Sequence, residues 1–403
     1  MRILLVTHYF PPEIGAPQTR LSEFAKYWVQ AGEEVTVLTG FPNHPTGVVP
    51  PAYKGKRRMV EEVDGYRVIR TWLYATPNEG VLRKTLSHVS FMVSGPLLGR
   101  RLAGRADVVI VSSPTFFSIW SAWLLARTKR ARFIVEVRDL WPAIFVELGV
   151  LKNRSIIRVL EGLELAAYRA ASAVVVVSRG FKDHIEARGI PGEKIHVIPN
   201  GADLDRFEAR APDDHTRVAL GAKPEDTLVL YSGAHGISHG LTSVADAAAE
   251  LRELPIHFTF VGEGAAKAEL ARRVADLQLD NVTMMPGVPS ADMPGLIAAA
   301  DICLVPLRDV PLFATFIPSK MFEYLAAAKA VVGAVRGEPA AILRAAGAVV
   351  VEPEDPGALA GAIRKLAVDP DRRREMGVTG RAFVRENYDR RRLADRYHDA
   401  LSS

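Results

Sequence analysis

Short runs of valine, isoleucine and leucine alternate with longer amphipathic stretches from one end of the chain to the other. Strands that are apolar on both faces belong to parallel sheets covered by helices on both sides, so this alternation confines the chain to α/β architectures built from βα units. Two series stand out. The first holds residues 3–7, 34–39, 67–73, 108–112, 133–137, 173–177 and 195–198; the second holds 228–231, 257–261, 282–285, 302–305, 330–335 and 348–351. Between them, PNGADLDRFEARAPDDHTR at 199–217 is polar, turn-rich and without helical period, and reads as a linker. A chain of 403 residues exceeds what one core organises. The expected division is 1–205 and 206–384, with a charged helix at 385–403 returning to the first domain. Parallel sheets with right-handed crossovers bind ligands beyond the carboxyl ends of their strands, so a cleft between the two rims is the expected site.

Composition removes several classes. The lone cysteine, Cys303, excludes an intrachain disulfide and cysteine-rich metal centres, and fits a reducing compartment. The opening MRILLVTHYF lacks the length and cleavage site of a signal peptide, and no run approaches the roughly 20 apolar residues of a membrane span. A cytoplasmic location is therefore expected. The formal charge of +5 favours anionic partners. Basic and aromatic residues do not interleave on any motif, so nucleic acid is not among those expected. No GxxxxGK[ST] loop, Gly-x-Ser-x-Gly elbow or GxGxxG turn occurs, which argues against P-loop, serine-hydrolase and nicotinamide chemistry. Asp203 and Asp205 form an Asp-x-Asp pair, but it sits in the linker without a third ligand, so no metal is expected.

Four loops carry candidate chemistry. HYFPPEIGAPQTR ends the first run, and Gly15 there allows close approach of a phosphate or sugar ahead of a helix near Thr19. RDLWP at 138–142 places Asp139 at the ligand-facing rim, where its carboxylate suits either an acceptor hydroxyl or a helix cap. YSGAHGISHGL at 231–241 offers backbone N–H groups from Gly233 to Gly236 for a diphosphate, with His235 and His239 alongside. FIPSKMFEYLAAAKAVVGA at 316–334 sets Lys320 in the first turn of a helix, a position the dipole disfavours unless an anion lies in front of it. Glu323 then suits ribose hydroxyls, although a solvated ion pair with Lys320 is the plainer alternative.

Residues 81–105 combine Leu82, Leu86, Val89, Phe91, Met92, Val93, Leu97 and Leu98 with Arg83, Lys84, Arg100, Arg101 and Arg105. Apolar residues between basic ends suit an interfacial helix on an anionic membrane surface, and Gly95 and Pro96 make a poor core helix. A similar stretch at 116–132 reads instead as a crossover helix over the first sheet.

Taken together, HYFPPEIGAPQTR, VRDLWP, VVVVSRG, VIPNGADLDRF, YSGAHGISHGL, FVGEG, NVTMMPGV, ADICLVPL and PSKMFEYLAAAKAVVGA resemble retaining glycosyltransferases of family 4, in family order and over nearly the whole chain. The resemblance implies the GT-B fold, two Rossmann-like domains with parallel sheets facing a cleft. DLWP and PSKMFEYLAA look most like the subgroup that moves N-acetylated amino sugars, such as N-acetylfucosamine, onto undecaprenyl diphosphate-linked intermediates of O-antigen or capsule. It implies that Gly15 touches the donor diphosphate, Asp139 lies in the catalytic loop, Val288 meets the base and Glu323 holds the ribose. Two departures are visible. His235 and His239 stand in the loop where many members carry arginine and lysine, and Thr315 replaces the first of two glutamates eight positions apart, which leaves Lys320 and backbone N–H groups near Ile317 and Ser319 to bind the donor.

The expected activity is thus metal-independent transfer from a UDP-sugar to a polyprenyl diphosphate-linked saccharide by an enzyme peripheral to the inner membrane face. Lys320 stabilises the departing diphosphate, and Asp139 serves the acceptor. A nucleotide-sugar 2-epimerase of the same architecture and a non-catalytic nucleotide-sugar-binding protein are the competing readings.

Overall fold

The structure, a computed structural model, describes residues 1–402 apart from 14, 45, 78, 79, 114 and 115. It divides into two units. Unit 1 comprises residues 1–199 and 391–403, and unit 2 comprises 200–390.

Unit 1 is built on eight strands: β1 (Arg2–Val6), β2 (Glu34–Gly40), β3 (Arg58–Val63), β4 (Tyr66–Thr71), β5 (Val108–Ser112), β6 (Arg132–Val137), β7 (Ala173–Val176) and β8 (Ile195–Val197). Their order is β3-β4-β2-β1-β5-β6-β7-β8. Every neighbouring pair is parallel except β3 and β4, which form an antiparallel hairpin at the edge. The central strands are buried throughout, as in the VVIVS of β5, because helices cover both faces. Residues 67–73 were expected to form one run; the strand there is β4, and its partner β3 is an addition.

Unit 2 holds β9 (Thr227–Ser232), β10 (Ile256–Val261), β11 (Val282–Met285), β12 (Ile302–Pro306), β13 (Ala330–Ala334) and β14 (Val349–Val351), all parallel in the order β11-β10-β9-β12-β13-β14. In each sheet the strand order reverses once. The reversal falls beside β1 and β5 in unit 1 and beside β9 and β12 in unit 2, and crevices open beyond such points.

The end of the chain is shared between the units. The helix Pro370–Asn387 stays with unit 2, where Tyr388 stacks on Phe322 at 4.5 Å, and the helix Arg390–Ser402 lies almost wholly in unit 1. Tyr397 and Leu401 there complete a core with Phe24 and Trp28, and the Trp28 indole donates to the Ala394 carbonyl at 3.0 Å. Where the chain leaves unit 1, Arg20 donates to the carbonyls of Ile198 (2.8 Å) and Pro199 (2.7 Å) and pairs with Glu136 at 2.9 Å. Glu136 also accepts from Ser112 Oγ. Burial alone raises a carboxyl's pKa, but the guanidinium of Arg20 and the charge of Arg138 bring that of Glu136 below its ordinary value.

Candidate functional site

At the reversal point of unit 2, β9 runs into residues 233–240 and β12 into 307–319. Lys320 opens the helix Lys320–Ala326 directly behind the second of these loops. Its ammonium lies 3.6 Å from the centre of the Tyr231 ring, over the bare α-carbon of Gly233, where an added Cβ would sit 3.2 Å from Nζ. Gly233 has φ +121°, a backbone that side chains rarely adopt, so two constraints select glycine here. The Lys320 ammonium is sealed from water and has no hydrogen-bond partner among the described residues. Burial pulls its pKa well below the ordinary lysine value, opposed by the charge of Glu323 one turn on. An ammonium with no hydrogen-bond partner beside glycine-bearing loops is suited to an anionic ligand.

Aromatic packing fixes this arrangement. The Tyr231 ring lies between those of His235 (5.7 Å) and His239 (5.8 Å), and its hydroxyl donates to the Ala234 carbonyl at 2.6 Å. The Tyr324 hydroxyl accepts from the Ser232 N–H at 2.9 Å, which ties the lysine-bearing helix to the end of β9. Sequence reasoning missed both tyrosines. The available signal was an aromatic residue immediately before the Ser232–Gly233 turn.

The histidines differ from expectation. His235 is fully buried instead of lining an open loop, and neither ring nitrogen has a partner among the described residues. Its N–H is committed to the Glu263 carbonyl, and that of Gly233 to Val261, so neither amide is available to a diphosphate. Burial first, then the charges of Lys267 and Lys320, lower the His235 pKa to about 4. Burial and Lys320 lower that of His239 to about 3, and its Nδ1 lies 3.3 Å from the Pro306 carbonyl oxygen. Both rings are therefore neutral at pH 7 and shape the floor under Lys320 instead of adding charge.

The other residues expected to meet the donor differ in exposure. Ile317 is buried and its carbonyl accepts from the Asn200 amide at 3.3 Å, while Ser319 makes no side-chain cap on the helix it precedes. Glu323 and Val288 are half-buried. Asp203 accepts from the N–H groups of Asp205 and Arg206, which explains that acidic pair as a turn.

In unit 1, Gly15 precedes the helix Ala16–Gln30 in extended backbone that any residue adopts. The helix thus starts three residues before the expected Thr19. Asp139 follows β6 and is half-buried. It does not cap the next helix, Ala143–Glu147, whose N-cap is Pro142 without a side-chain bond. Burial raises the Asp139 pKa, with the charge of Arg138 opposing.

Within the stretch 81–105 expected to meet a membrane, a helix forms at Val81–Gly99 with Pro96 inside it, and its residues divide between core and surface. Phe91 is wholly buried against His8, with ring centres 5.2 Å apart, because the helix crosses over β2 and β4 and needs a core face. Met92 and Leu98 are half-buried. Leu82, Leu86, Val93 and Leu97 are exposed, together with Arg83, Lys84, Arg100 and Arg101. Two cavities of about 300 and 390 Å³ share Lys56 and Trp72; Tyr53 lines the smaller, and Leu98, near the C-terminal end of this helix, lines the larger. The stretch at 116–132 contains the helix Ser118–Lys129, which packs Ile119, Ala122 and Leu125 against the sheet as expected. No helix among the described residues is long and apolar enough to cross a membrane.

Comparison with known proteins decides the family. The pattern of the Glycosyl transferase 4-like domain matches residues 15–201, and that of the Glycosyl transferases group 1 matches 226–369. The chain belongs to the 4-like and group 1 glycosyltransferases. The transferase is 29% identical over 333 residues, 81% of each chain, to the "Putative colanic acid biosynthesis glycosyl transferase WcaI" of Escherichia coli. It is 27% identical, over 99% of this chain and 98% of the relative, to a GDP-mannose-dependent alpha-(1-6)-phosphatidylinositol monomannoside mannosyltransferase of Mycolicibacterium smegmatis. Among solved structures, sucrose-phosphate synthase of Thermosynechococcus elongatus superposes with a TM-score of 0.76 at 20% identity, covering 99% of this chain and 97% of that one. Anabaena Alr3699/HepE, solved with UDP and glucose, gives 0.74 at 19% over 100% and 99%. The fold of the transferase is GT-B, with two parallel-sheet α/β units.

Proposed function

We propose that this glycosyltransferase moves an N-acetylated amino sugar, with retention, from a UDP-sugar to a lipid-linked saccharide in bacterial surface polysaccharide synthesis. One observation carries the donor side: the buried, unpartnered Lys320 ammonium over Gly233 and Tyr231 at the reversal point of unit 2. A diphosphate there supplies the missing hydrogen-bond acceptor. As the acceptor oxygen bonds to the anomeric carbon, the bond from that carbon to the β-phosphate oxygen breaks. The nucleoside diphosphate leaves with the electron pair, and Lys320 stabilises the charge that develops on it. In this reading Glu323 binds the ribose, Val288 meets the base, Ile317 and Ser319 offer backbone groups to the sugar, and Gly15 touches the diphosphate. Asp139, whose raised pKa suits a proton acceptor, takes the acceptor hydroxyl's proton. The chemistry as drawn uses no metal.

The acceptor side is supported by the helix Val81–Gly99. Its exposed Leu82, Leu86, Val93 and Leu97, flanked by Arg83, Arg100 and Arg101, fit an anionic membrane surface at the cytoplasmic face. Relatives in colanic acid synthesis and in transfer to phosphatidylinositol mannoside point the same way. They divide on the donor, since GDP-mannose serves the mycobacterial enzymes and HepE was solved with UDP.

Thermal-shift titration against UDP-, GDP- and ADP-sugars tests the donor. A ligand that binds the folded state raises apparent stability by RT ln(1 + [L]/Kd), about 2.7 kcal/mol at a hundredfold excess over Kd. A shift with UDP-N-acetylhexosamines and none with GDP-mannose is expected; the opposite pattern replaces UDP in this reading.

A further inference from the structure

Beyond the carboxyl end of β1, unit 1 gathers polar rings that the transfer chemistry above does not use. His8 and Tyr9 follow β1, His44 follows β2, and His88 comes from the inner face of the helix Val81–Gly99. The His8 ring lies 4.5 Å from those of both Tyr9 and His88, and the Tyr9 ring lies 5.1 Å from that of His44. The Tyr9 hydroxyl is 3.2 Å from His88 Nε2. His8 forms the floor at 1% exposure, and its Nδ1 has no hydrogen-bond partner among the described residues. Tyr9 and His44 remain partly open.

Lys84 shares the helix of His88. It lies one helical turn before His88, on the same face, and is near enough for its charge to disfavour protonation of His8, His44 and His88 alike. Glu13, close to Tyr9, is the acidic group facing the cluster, and it is occupied by the N–H groups of Phe10, Asn43 and His44. Among the described residues no group of three or more His, Cys, Asp or Glu is arranged to hold a metal ion. Bonded to each other, Tyr9 and His88 offer one proton outward between them, and with an ammonium nearby this suits an oxyanion with several acceptor oxygens.

We propose that this cluster is the phosphate-binding end of the acceptor site and takes the phosphate or diphosphate of a lipid-linked acceptor through Lys84, Tyr9, His44 and His88, with His8 beneath. This rests on the lipid-linked acceptor reading above. Leu82 and Leu86, exposed on the same helix, leave the attached chain beside an apolar surface.

Farnesyl diphosphate, titrated calorimetrically into the full chain with UDP at saturation, tests the site with the nucleotide position already filled. Wild type is expected to bind. Lys84→Ala, a substitution of an exposed side chain, should raise Kd at least tenfold, and adding His88→Gln should raise it further, while UDP affinity stays unchanged. In wild type the imidazole NMR signals of the cluster should titrate at higher pH once farnesyl diphosphate is bound, a readout that survives even if the His88 variant does not fold. No binding by wild type, or an unchanged Kd in Lys84→Ala, overturns the proposal. Equal affinity for inorganic pyrophosphate overturns its lipid part. Loss of UDP binding in wild type would instead count against the donor reading.

Discussion

The Lys320 ammonium rests 3.6 Å from the centre of the Tyr231 ring, and no other partner holds it among the described residues. A cation over a desolvated aromatic face gains about 2 kcal/mol, so the ring fixes the ammonium without neutralising it. Tyr231→Leu is expected to lower kcat/KM by about tenfold to thirtyfold, the rate equivalent of that energy. Lys320→Ala removes the charge itself and should cost about 10²- to 10³-fold in kcat, the scale seen when one electrostatic stabiliser of a transition state is lost. Steady-state kinetics on both variants check the order; a Tyr231 variant as damaged as the lysine variant would refute it.

The same lysine is a burden to the unliganded fold. Its folded pKa lies below the ordinary value, so between the two values the unfolded chain binds the extra proton and stability rises with pH; at lower pH the penalty is carried in full. Lys320→Met removes an unsatisfied buried donor. The variant should be more stable than wild type at pH 7 by about 1 kcal/mol, with a flatter dependence at alkaline pH. Denaturant melts from pH 7 to 10 measure it. A destabilised variant would mean that the ammonium is satisfied after all.

Histidines set the acid limit. Burial lowers His88 and His235 to about 4 and His239 to about 3, and places His8 well below its ordinary value. In the unfolded chain each titrates near 6.5, so their contribution is whole above about pH 6.5 and drains away as pH falls toward 4 and 3. Each such histidine steepens the loss by up to about 1.4 kcal/mol per pH unit. The Tm should therefore drop sharply between pH 6 and 4.5, and a level profile across that range would refute these assignments.

What the sequence disclosed depended on how much of each element was buried. The apolar runs of β5 and β9 announce themselves because both faces are covered. The strand β3, RMVEEV, alternates at an exposed edge and contains no apolar run. Its signal was the Asp64–Gly65 turn that joins it to β4, with φ of +48° and +84°, the backbone a tight hairpin needs. The lysine at a helix start was legible because its charge contradicts the dipole there. Tyr231 and the cluster around His8 were not: Tyr231 ends a buried strand, where an aromatic residue reads as core, and His8, Tyr9, His44 and His88 come from two loops and a helix that only the fold brings together.

Along the helix Val81–Gly99 the helical period separates core from surface. At about 100° per residue, Leu82, Leu86, Val93 and Leu97 fall within about 60° of one another, and Phe91 lies about 180° from Leu82. The exposures follow that wheel, from 75% at Leu97 to 0% at Phe91. Opposite outcomes are therefore expected from two substitutions on one helix. Leu86→Glu with Leu97→Glu should abolish flotation with vesicles rich in anionic lipid, and change Tm little, because the exposed residues have no packing to lose. Phe91→Ala should cost about 3–5 kcal/mol of stability through the cavity it leaves, while any protein that remains folded keeps its lipid affinity. Vesicle flotation and denaturant melts on both variants decide the matter. Unchanged flotation in the double glutamate variant would remove this face from the membrane.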